Sequence, residues 1–269
     1  LYLLQLPGSR VSHIMGSYRY EILRETTTDS LIMENNTRQK KMNSNVYGID
    51  LGTCNMKIYC KTSNKILNEK NTIALVKKDQ IYAYGDAAYA MYEKAPETIN
   101  VTFPVISGVI ADFNNLQTML QMYLEEHMKG KIRGAEFIVA VPTDITDVEK
   151  RAFFEMFYKS KLKPKSVLLC EKPIADAVGL GLDVNEPTGI MVVDIGADTT
   201  EISVISLGGL VLSDLLHFGG NRIDESIITY VKRTYNLVIG QKTAQALKEK
   251  LGSGIPGNTE TMVIVGRDV

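Results

Sequence analysis

Two short segments of the sequence place an aspartate and a glycine where a buried strand should turn. In "MVVDIGADTTEISVI" (residues 191–205), three apolar residues predict a strand that ends at Asp194, and Gly196 follows two positions later. The segment "YGIDLGTCNMKIYC" repeats this layout with Asp50 and Gly52. A carboxylate at the end of a buried strand is costly unless it has a partner, so both aspartates are candidate binding residues.

A duplicated strand–Asp–Gly hairpin is suited to binding a polyphosphate. Glycines allow tight turns whose backbone N–H groups form a nest for an anion. Two nests that face each other across a cleft could hold a polyphosphate from both sides, while Asp50 and Asp194 hold a hydrated Mg²⁺ that bridges the phosphate oxygens. One hairpin alone is better explained as an ordinary turn. Two copies with matching flanks favour the binding interpretation and indicate an internal duplication.

The elements around these hairpins alternate between strand and helix from Val46 onward. "EFIVAVP" and "SVLLC" predict short buried strands, and "NLQTMLQMYLEEHM" has apolar residues at helical spacing behind Asn114. "TDITDVEKRAFFEMFYKS" predicts a helix that is capped by Thr146 or Asp147 and carries Glu149 in its first turn. This alternation predicts an α/β fold with a largely parallel sheet covered by helices.

Composition narrows the class of protein. The chain has 269 residues, of which 45% are hydrophobic, and this is enough for one or two domains. The formal net charge is −1 and the basic residues are spread along the chain, so neither nucleic acid nor an anionic membrane surface is favoured as a partner. The three cysteines and three histidines show no zinc-site or disulfide spacing, which fits a reducing cytoplasm. We expect a cytoplasmic protein.

The sequence predicts three regions. Residues 1–44 are polar with little periodicity and predict a disordered or extraneous tail. Residues 45–178 predict a first lobe, which carries a small inserted subdomain at about 62–106 because short strands and the "DAAYAMYEKAP" helix interrupt the main alternation. Residues 179–269 predict an incomplete second lobe, which contains the second hairpin.

The hairpins and their flanks resemble the actin-fold ATPases and, within them, the MreB family of bacterial actin homologues. "GIDLGTCN" is similar to the first phosphate motif of that family, "GVIADF" to its first connecting motif and "VDIGADTTE" to its second phosphate motif. "AVPTDITDVEKRA", "EKPIADAVGLGL" and the segment from "SLGGLVL" to "GQKTA" resemble it through whole helices. The resemblance covers residues 46–269. It implies an actin-like (ribonuclease H-like) fold with a complete first half and a truncated second half, hence an N-terminal fragment whose native initiator is Met42.

The resemblance also implies roles for individual residues. Asp50 and Asp194 would bind Mg²⁺ through water, and Glu149 would orient the water that attacks the γ-phosphate of ATP. The plain alternative for Glu149 is a carboxylate that favours a helix N-terminus. The remaining residues would bind the nucleotide: Gly52, Thr53, Cys54, Asn55 and Lys57 from the first hairpin, and Gly196, Asp198, Thr199 and Thr200 from the second.

Two positions depart from the family pattern. Members of the family usually have Gly-Gly where this sequence has Ala197 and Asp198, and a carboxylate beside a triphosphate is repulsive. Asp198 could weaken binding, turn outward or join the metal shell. Lys57 stands where bacterial relatives usually have an apolar residue; it could offset the charge of Asp198, or it could be an ordinary solvent-facing lysine.

Two classes of function follow from the resemblance. The first is a cell shape-determining cytoskeletal protomer that self-associates into ATP-dependent filaments and organises the cell-wall synthesis machinery at the inner face of the membrane. The alternative is a chaperone ATPase or a small-molecule kinase, since one fold hosts all three. The stretch "NRIDESIITYVKRTYNLVIG" favours the filament protein, and no acceptor-site base for a kinase is identifiable. We expect this chain by itself to bind ATP poorly and to hydrolyse it scarcely at all.

Overall fold

The computed structural model describes residues 45–77, 80–128, 132–256 and 260–269, so the predicted tail and Met42 lie outside the described residues. The helices are α1 (Gly85–Met91), α2 (Phe113–His127), α3 (Asp147–Tyr158), α4 (Lys172–Gly179), α5 (Gly220–Tyr235) and α6 (Gln241–Leu251). The strands are β1 (Val46–Leu51), β2 (Asn55–Cys60), β3 (Lys65–Lys70), β4 (Ile73–Val76), β5 (Gln80–Tyr84), β6 (Ile99–Thr102), β7 (Val105–Ile106), β8 (Val109–Ile110), β9 (Glu136–Val141), β10 (Ser166–Glu171), β11 (Ile190–Ile195), β12 (Thr200–Ser206), β13 (Gly209–Leu216), β14 (Leu237–Val238) and β15 (Arg267–Asp268).

The main sheet is mixed and has the strand order β10-β9-β1-β2-β3. Strands β1, β9 and β10 are parallel neighbours, whereas β2 and β3 return antiparallel from the first hairpin. Asp50 at the end of β1 therefore lies between Lys57 on β2 and Ala140 on β9. The α/β class is confirmed, although only the β1–β9–β10 side of this sheet is parallel.

A large apolar core fills the space between the main sheet and helices α2 and α3. Alternation along β1 points Tyr47 and Ile49 into this core, and the helical spacing of α2 and α3 adds Leu120 and Phe157. Tyr47 stacks on Phe137 of β9, with ring centroids 5.4 Å apart. Burying one such side chain contributes about 1.5–3 kcal/mol, so this core holds Asp50 rigidly near the end of the central strand β1.

Polar side chains fix the starts of the two core helices. Asp112 caps α2 by accepting a hydrogen bond from the Asn115 N–H, so the helix begins before Asn114, the predicted starter. Thr146 caps α3 as predicted, and Glu149 completes a reciprocal capping box. The capping box therefore fixes the first turn of α3 directly after the loop that follows β9.

The inserted segment is partly separate from the main sheet. Strands β4, β5 and β6 form a three-stranded antiparallel sheet of their own, with α1 packed beside them. Strand β3, which also falls within the predicted 62–106 segment, pairs instead with β2 at the edge of the main sheet. The exact boundaries of the lobes stay a prediction.

The second half repeats the hairpin arrangement with a smaller core. Strands β11, β12 and β13 form an antiparallel sheet, and α4 packs against it through Ile174 and Ala177. The other face carries exposed apolar side chains, among them Met191, which is 69% exposed. Helix α5 ends at Asn236, which adopts the left-handed conformation with φ +56°, and α6 packs beside it. Helix α4 therefore lies between the two Asp-bearing sheets.

Candidate functional site between two hairpins

The two hairpins share one structural reason for their glycines. A Cβ at Gly52 would lie 2.8 Å from the Asn55 carbonyl oxygen, and one at Gly196 would lie 3.0 Å from that of Thr199. In both turns the carbonyl three residues on folds back over the glycine, and neither glycine has a positive φ. The Gly196 N–H donates to the Thr199 carbonyl (2.8 Å), so this donor, expected in the anion nest, closes the turn instead.

A third turn joins the two hairpins. Ser107 and Gly108 connect β7 to β8, and both have positive φ. The Ser107 N–H donates to Asp198 Oδ2 (2.8 Å), and the next N–H, that of Gly108, donates to Thr53 Oγ1 (3.2 Å). Consecutive backbone donors thus contact one residue from each hairpin. The two hairpins lie at one cleft, as their matching layout predicted.

Asp198 is held within this cleft. Besides Ser107, the side-chain amide of Asn221 donates to Asp198 Oδ1 (2.7 Å). Its carboxylate therefore does not turn outward, the second of the three alternatives for this residue. Lys57 does not offset it, because the Lys57 ammonium pairs with Asp50 Oδ2 at 2.7 Å. The other alternative, an ordinary solvent-facing lysine, also does not describe this contact, because Lys57 and Asp50 are directly opposite in the β1–β2 register.

A second lysine, Lys172, lies beside Asp194 and Asp50, and the sequence did not predict it. Lys172 is the first residue of α4, and its ammonium lies 2.8 Å from Asp194 Oδ2. Burial favours the neutral form of the Asp50 carboxyl, but Lys172 and Lys57 outweigh burial and hold its pKa below the ordinary value. Burial likewise opposes the charge of Lys172, yet Asp50 and Asp194 raise the pKa of its ammonium. Lys172 is thus coupled to both hairpins.

Asp176, one turn along α4 from Lys172, adds a third carboxyl group. Burial and the charge of Asp194 raise its pKa to about 7. Its Oδ2 atom is buried and accepts no hydrogen bond within the described part of the chain. The start of α4 therefore concentrates three carboxyl groups and two lysines near the ends of β1 and β11.

The carboxylates of Glu149 and Glu201 both accept hydrogen bonds from threonine residues. Glu149 Oε2 accepts hydrogen bonds from the N–H and hydroxyl groups of Thr146, both at 2.7 Å. The structure therefore shows the capping role, while the catalytic role stays a prediction. Glu201, the last residue of "VDIGADTTE", is only 4% exposed and accepts hydrogen bonds from the Thr143 N–H (3.0 Å) and hydroxyl. Its acidic character in a buried strand was the available signal for this link between halves.

The other predicted nucleotide contacts divide into three groups. Thr53, Cys54 and Asp198 line a cavity of about 530 Å³, whose further walls include Tyr92, Phe103 and Gln245. Asn55 and Thr200 are bonded elsewhere: the Asn55 amide donates to Asn68 (3.0 Å), and the Thr200 hydroxyl donates to the Phe218 carbonyl (2.7 Å). Gly52, Gly196 and Thr199 shape the turns. The nucleotide-binding role of every residue in this set stays a prediction.

The donor set is compatible with a hydrated magnesium ion. Within the described residues, no group of three or more His, Cys, Asp or Glu side chains could hold a metal ion directly. Mg²⁺ usually keeps several waters and is bound through one or two carboxylates together with substrate phosphates. Asp50 and Asp194 supply such a pair, and both already attract cationic partners.

Among the described helices, none is long and apolar enough to cross a membrane.

The structure has the actin-like ATPase fold. This fold is defined here by two Asp–x–Gly hairpins that lie on similar three-stranded units and face one cleft. The parallel strands β1, β9 and β10 lie beside that cleft. The model of the MreB/Mbl protein family matches residues 44–269. The chain belongs to this family, as the resemblance predicted.

Individual relatives agree with this placement. The cell shape-determining protein MreB of Escherichia coli (strain K12) is 41% identical over 225 residues, which is 81% of this chain and 64% of that protein. The cell shape-determining protein Mbl of Bacillus subtilis (strain 168) is 39% identical, over 82% of this chain and 67% of Mbl. The crystal structure of MreB5 of Spiroplasma citri bound to AMPPNP matches with a TM-score of 0.79 and 31% identity, over 84% of this chain and 68% of MreB5. The chain thus spans about two thirds of these relatives.

Proposed function

We propose that this chain is part of an ATP-dependent, actin-like filament protein that determines cell shape. The observation that carries the proposal is the pair of Asp–x–Gly hairpins joined by the Ser107–Gly108 turn, which contacts Asp198 on one side and Thr53 on the other. A polyphosphate lying between these hairpins would be close to residues of both halves, so its binding would couple their relative position to the state of the nucleotide.

The proposed roles follow from the positions of the side chains. Thr53, Cys54 and Asp198 would face the nucleotide because they line the cleft cavity. Asp50 and Asp194 would hold Mg²⁺ through water, and the ion would neutralise charge on the phosphates. Glu149 would orient the attacking water after leaving its capping box, because its carboxylate is engaged by Thr146 in this structure.

The biological part of the proposal rests on the relatives. Both bacterial relatives are named cell shape-determining proteins, and MreB5 was crystallised with the ATP analogue AMPPNP. We infer self-association into filaments in the cytoplasm and, at the inner face of the membrane, contact with the cell-wall synthesis machinery. The chaperone and kinase alternatives are not favoured, since these relatives match the chain through its helices as well as its hairpins.

Ligand-detected NMR with ATP and Mg²⁺ tests the nucleotide site. We expect weak binding by the 269-residue chain, with Kd of about 0.1–1 mM, because Asp198 lines the cleft cavity and its carboxylate would repel the phosphates. Asp198→Asn should tighten binding and Thr53→Val should weaken it. Thr62→Val is the matched control, because the Thr62 hydroxyl bonds to Asn45 outside the cleft (2.6 Å). No detectable binding, or equal effects of the two Thr→Val changes, would contradict the proposed site.

Sedimentation and electron microscopy test the filament proposal separately. We expect polymers that require ATP and that Asp50→Ala removes, because that substitution deletes one of the two proposed magnesium carboxylates. Polymer that forms equally with and without nucleotide would indicate association through the exposed apolar face of β11–β13 instead.

A further inference from the structure

Lys172 has an unusual position for a lysine. It is the first residue of α4 and follows directly on β10, so its charge lies at the positive end of the helix dipole. A cation is disfavoured there, and its side chain is only 23% exposed. Carboxylates offset the cost of placing this cation there: the Lys172 ammonium pairs with Asp194 at 2.8 Å and is attracted by Asp50 and Asp176.

Lys172 differs in this respect from the other lysine of the cluster. Within the described residues Lys57 has one ion-pair partner, Asp50, and its side chain is 44% exposed, so it can turn toward solvent more readily than Lys172. Lys172 interacts with carboxylates from both sheets. Without it, Asp50, Asp176 and Asp194 would face one another with Lys57 as the remaining cation of this cluster.

We propose that Lys172 is a resident counter-cation that competes with the divalent metal ion for Asp50 and Asp194. In the metal-free chain its ammonium balances the two carboxylates and keeps the ends of β1 and β11 together. A hydrated metal ion that engages both carboxylates must displace Lys172 from Asp194. This inference rests on the proposed magnesium site and concerns a positioning residue, since Lys172 would act through the two aspartates.

If Lys172 competes with the metal ion, removing the positive charge of Lys172 should increase the affinity of the chain for the metal. Deleting the ammonium that pairs with Asp194 would remove its repulsion of a divalent ion and free a carboxylate, and we expect metal affinity to rise about tenfold or more. Lys172→Arg keeps the charge and should leave the affinity low. Lys165→Met is the matched control. Lys165 pairs with Glu136 (2.7 Å) at the start of β9, whereas Asp50 lies beside the other end of that strand.

Mn²⁺, used alone as a paramagnetic probe of the magnesium site, provides a readout that needs neither ATP nor catalysis. Electron paramagnetic resonance measures free Mn²⁺ in titrations of the 269-residue chain and its variants. Lys172→Met should bind Mn²⁺ at least tenfold more tightly than the wild type, whereas Lys172→Arg and Lys165→Met should not. Equal or weaker binding by Lys172→Met would overturn the inference.

Stability measurements cover the case in which the variant is poorly folded. Mn²⁺ should raise the Tm of Lys172→Met, or of the closer-sized Lys172→Gln, more than that of the wild type, because the metal replaces the lost counter-charge. Equal shifts would also overturn the inference. If the wild type binds ATP but these metal affinities are equal, only the role of Lys172 fails; if neither ATP nor Mn²⁺ binds to any form, the proposed function fails with it.

Discussion

Glu149 shows at the scale of a residue how one carboxylate can serve stability and be a candidate for catalysis. Its capping box with Thr146 satisfies backbone donors at the start of α3. We expect Glu149→Ala to lower the free energy of unfolding by about 0.5–1 kcal/mol, and Glu149→Gln to lower it less, because glutamine also completes a capping box. Chemical denaturation measures both.

A double-variant cycle separates the capping box from unrelated effects of Glu149. Thr146→Ala alone should cost about as much as Glu149→Ala, and the double variant should cost less than the sum, because both changes remove the same bond between the Thr146 hydroxyl and the Glu149 carboxylate (2.7 Å). Strictly additive losses would show that this hydroxyl–carboxylate bond contributes nothing to stability in solution.

Asp176 predicts a pH dependence whose sign follows from its environment. Burial and Asp194 raise the pKa of this carboxyl from 3.8 to about 7 in the folded chain, so between these values the folded state binds more protons than the unfolded state. Its contribution to stability therefore falls as the pH rises through this window. Asp176→Asn should remove this loss and be more stable than the wild type at pH 8 by on the order of 1 kcal/mol.

Thermal melts at pH 5 and pH 8 check this prediction. The exposed Asp214 provides the control, because Asp214→Asn removes a carboxylate on β13 away from the start of α4. A wild-type chain that gains as much stability between pH 5 and pH 8 as Asp176→Asn does would contradict the assignment.

Residue types and spacing predicted part of the site. Asp50, Asp194, Thr53 and Asp198 could be placed at one cleft because a repeated layout fixes where strand ends turn. Lys172 could not, because its partners are remote in sequence and nothing in "EKPIAD" indicates what its ammonium faces. Neither alternative for Lys57, an offset to Asp198 or a solvent-facing side chain, named its partner for a related reason: the cross-strand register, which pairs Lys57 with Asp50, decides it.

The two hairpin glycines make a prediction at the scale of the element. An added Cβ would collide with a carbonyl at Gly52 (2.8 Å) and press on one at Gly196 (3.0 Å), whereas nothing lies within 4 Å at Gly209. Gly52→Ala should therefore destabilise most, by about 1–3 kcal/mol, Gly196→Ala less, and Gly209→Ala least. Urea unfolding of the three variants gives this order, and a loss at Gly209 equal to that at Gly52 would refute the close-approach explanation.

Strand and helix identities were more predictable than strand partners. The short apolar run "EFIVAV", stopped by Pro142, and the helical spacing of the α2 segment specify a strand and a helix by themselves. Strand β3 falls within the predicted inserted segment at about 62–106, whose short strands interrupt the main alternation. Its pairing with β2 comes from the antiparallel return of the chain, which local composition does not encode.

The whole molecule is closed across the cleft by contacts between α1 and α6. Glu93, just after α1, accepts hydrogen bonds from the Gln241 and Lys242 N–H groups at the start of α6 (2.6 and 3.4 Å). The Tyr89 hydroxyl donates to Gln245 (2.9 Å), and the Lys242 ammonium lies 4.7 Å from the centre of the Tyr89 ring. The inserted segment thus caps a helix of the second half, over a cavity whose walls include both hairpins.

This closure predicts how the two halves separate. Glu93→Ala removes the cap from α6 and should raise the hydrogen-exchange rates of the Gln241 and Lys242 amides at least about tenfold, since each then loses its acceptor. Glu97→Ala, a nearby exposed change, should leave these rates unaltered. If the cap also holds the cleft shut, exchange at Ser107 and Gly108 should rise in the Glu93 variant, because their acceptors lie on the two hairpins. Faster exchange confined to α6 would show that the cap stabilises one helix without controlling the opening of the cleft.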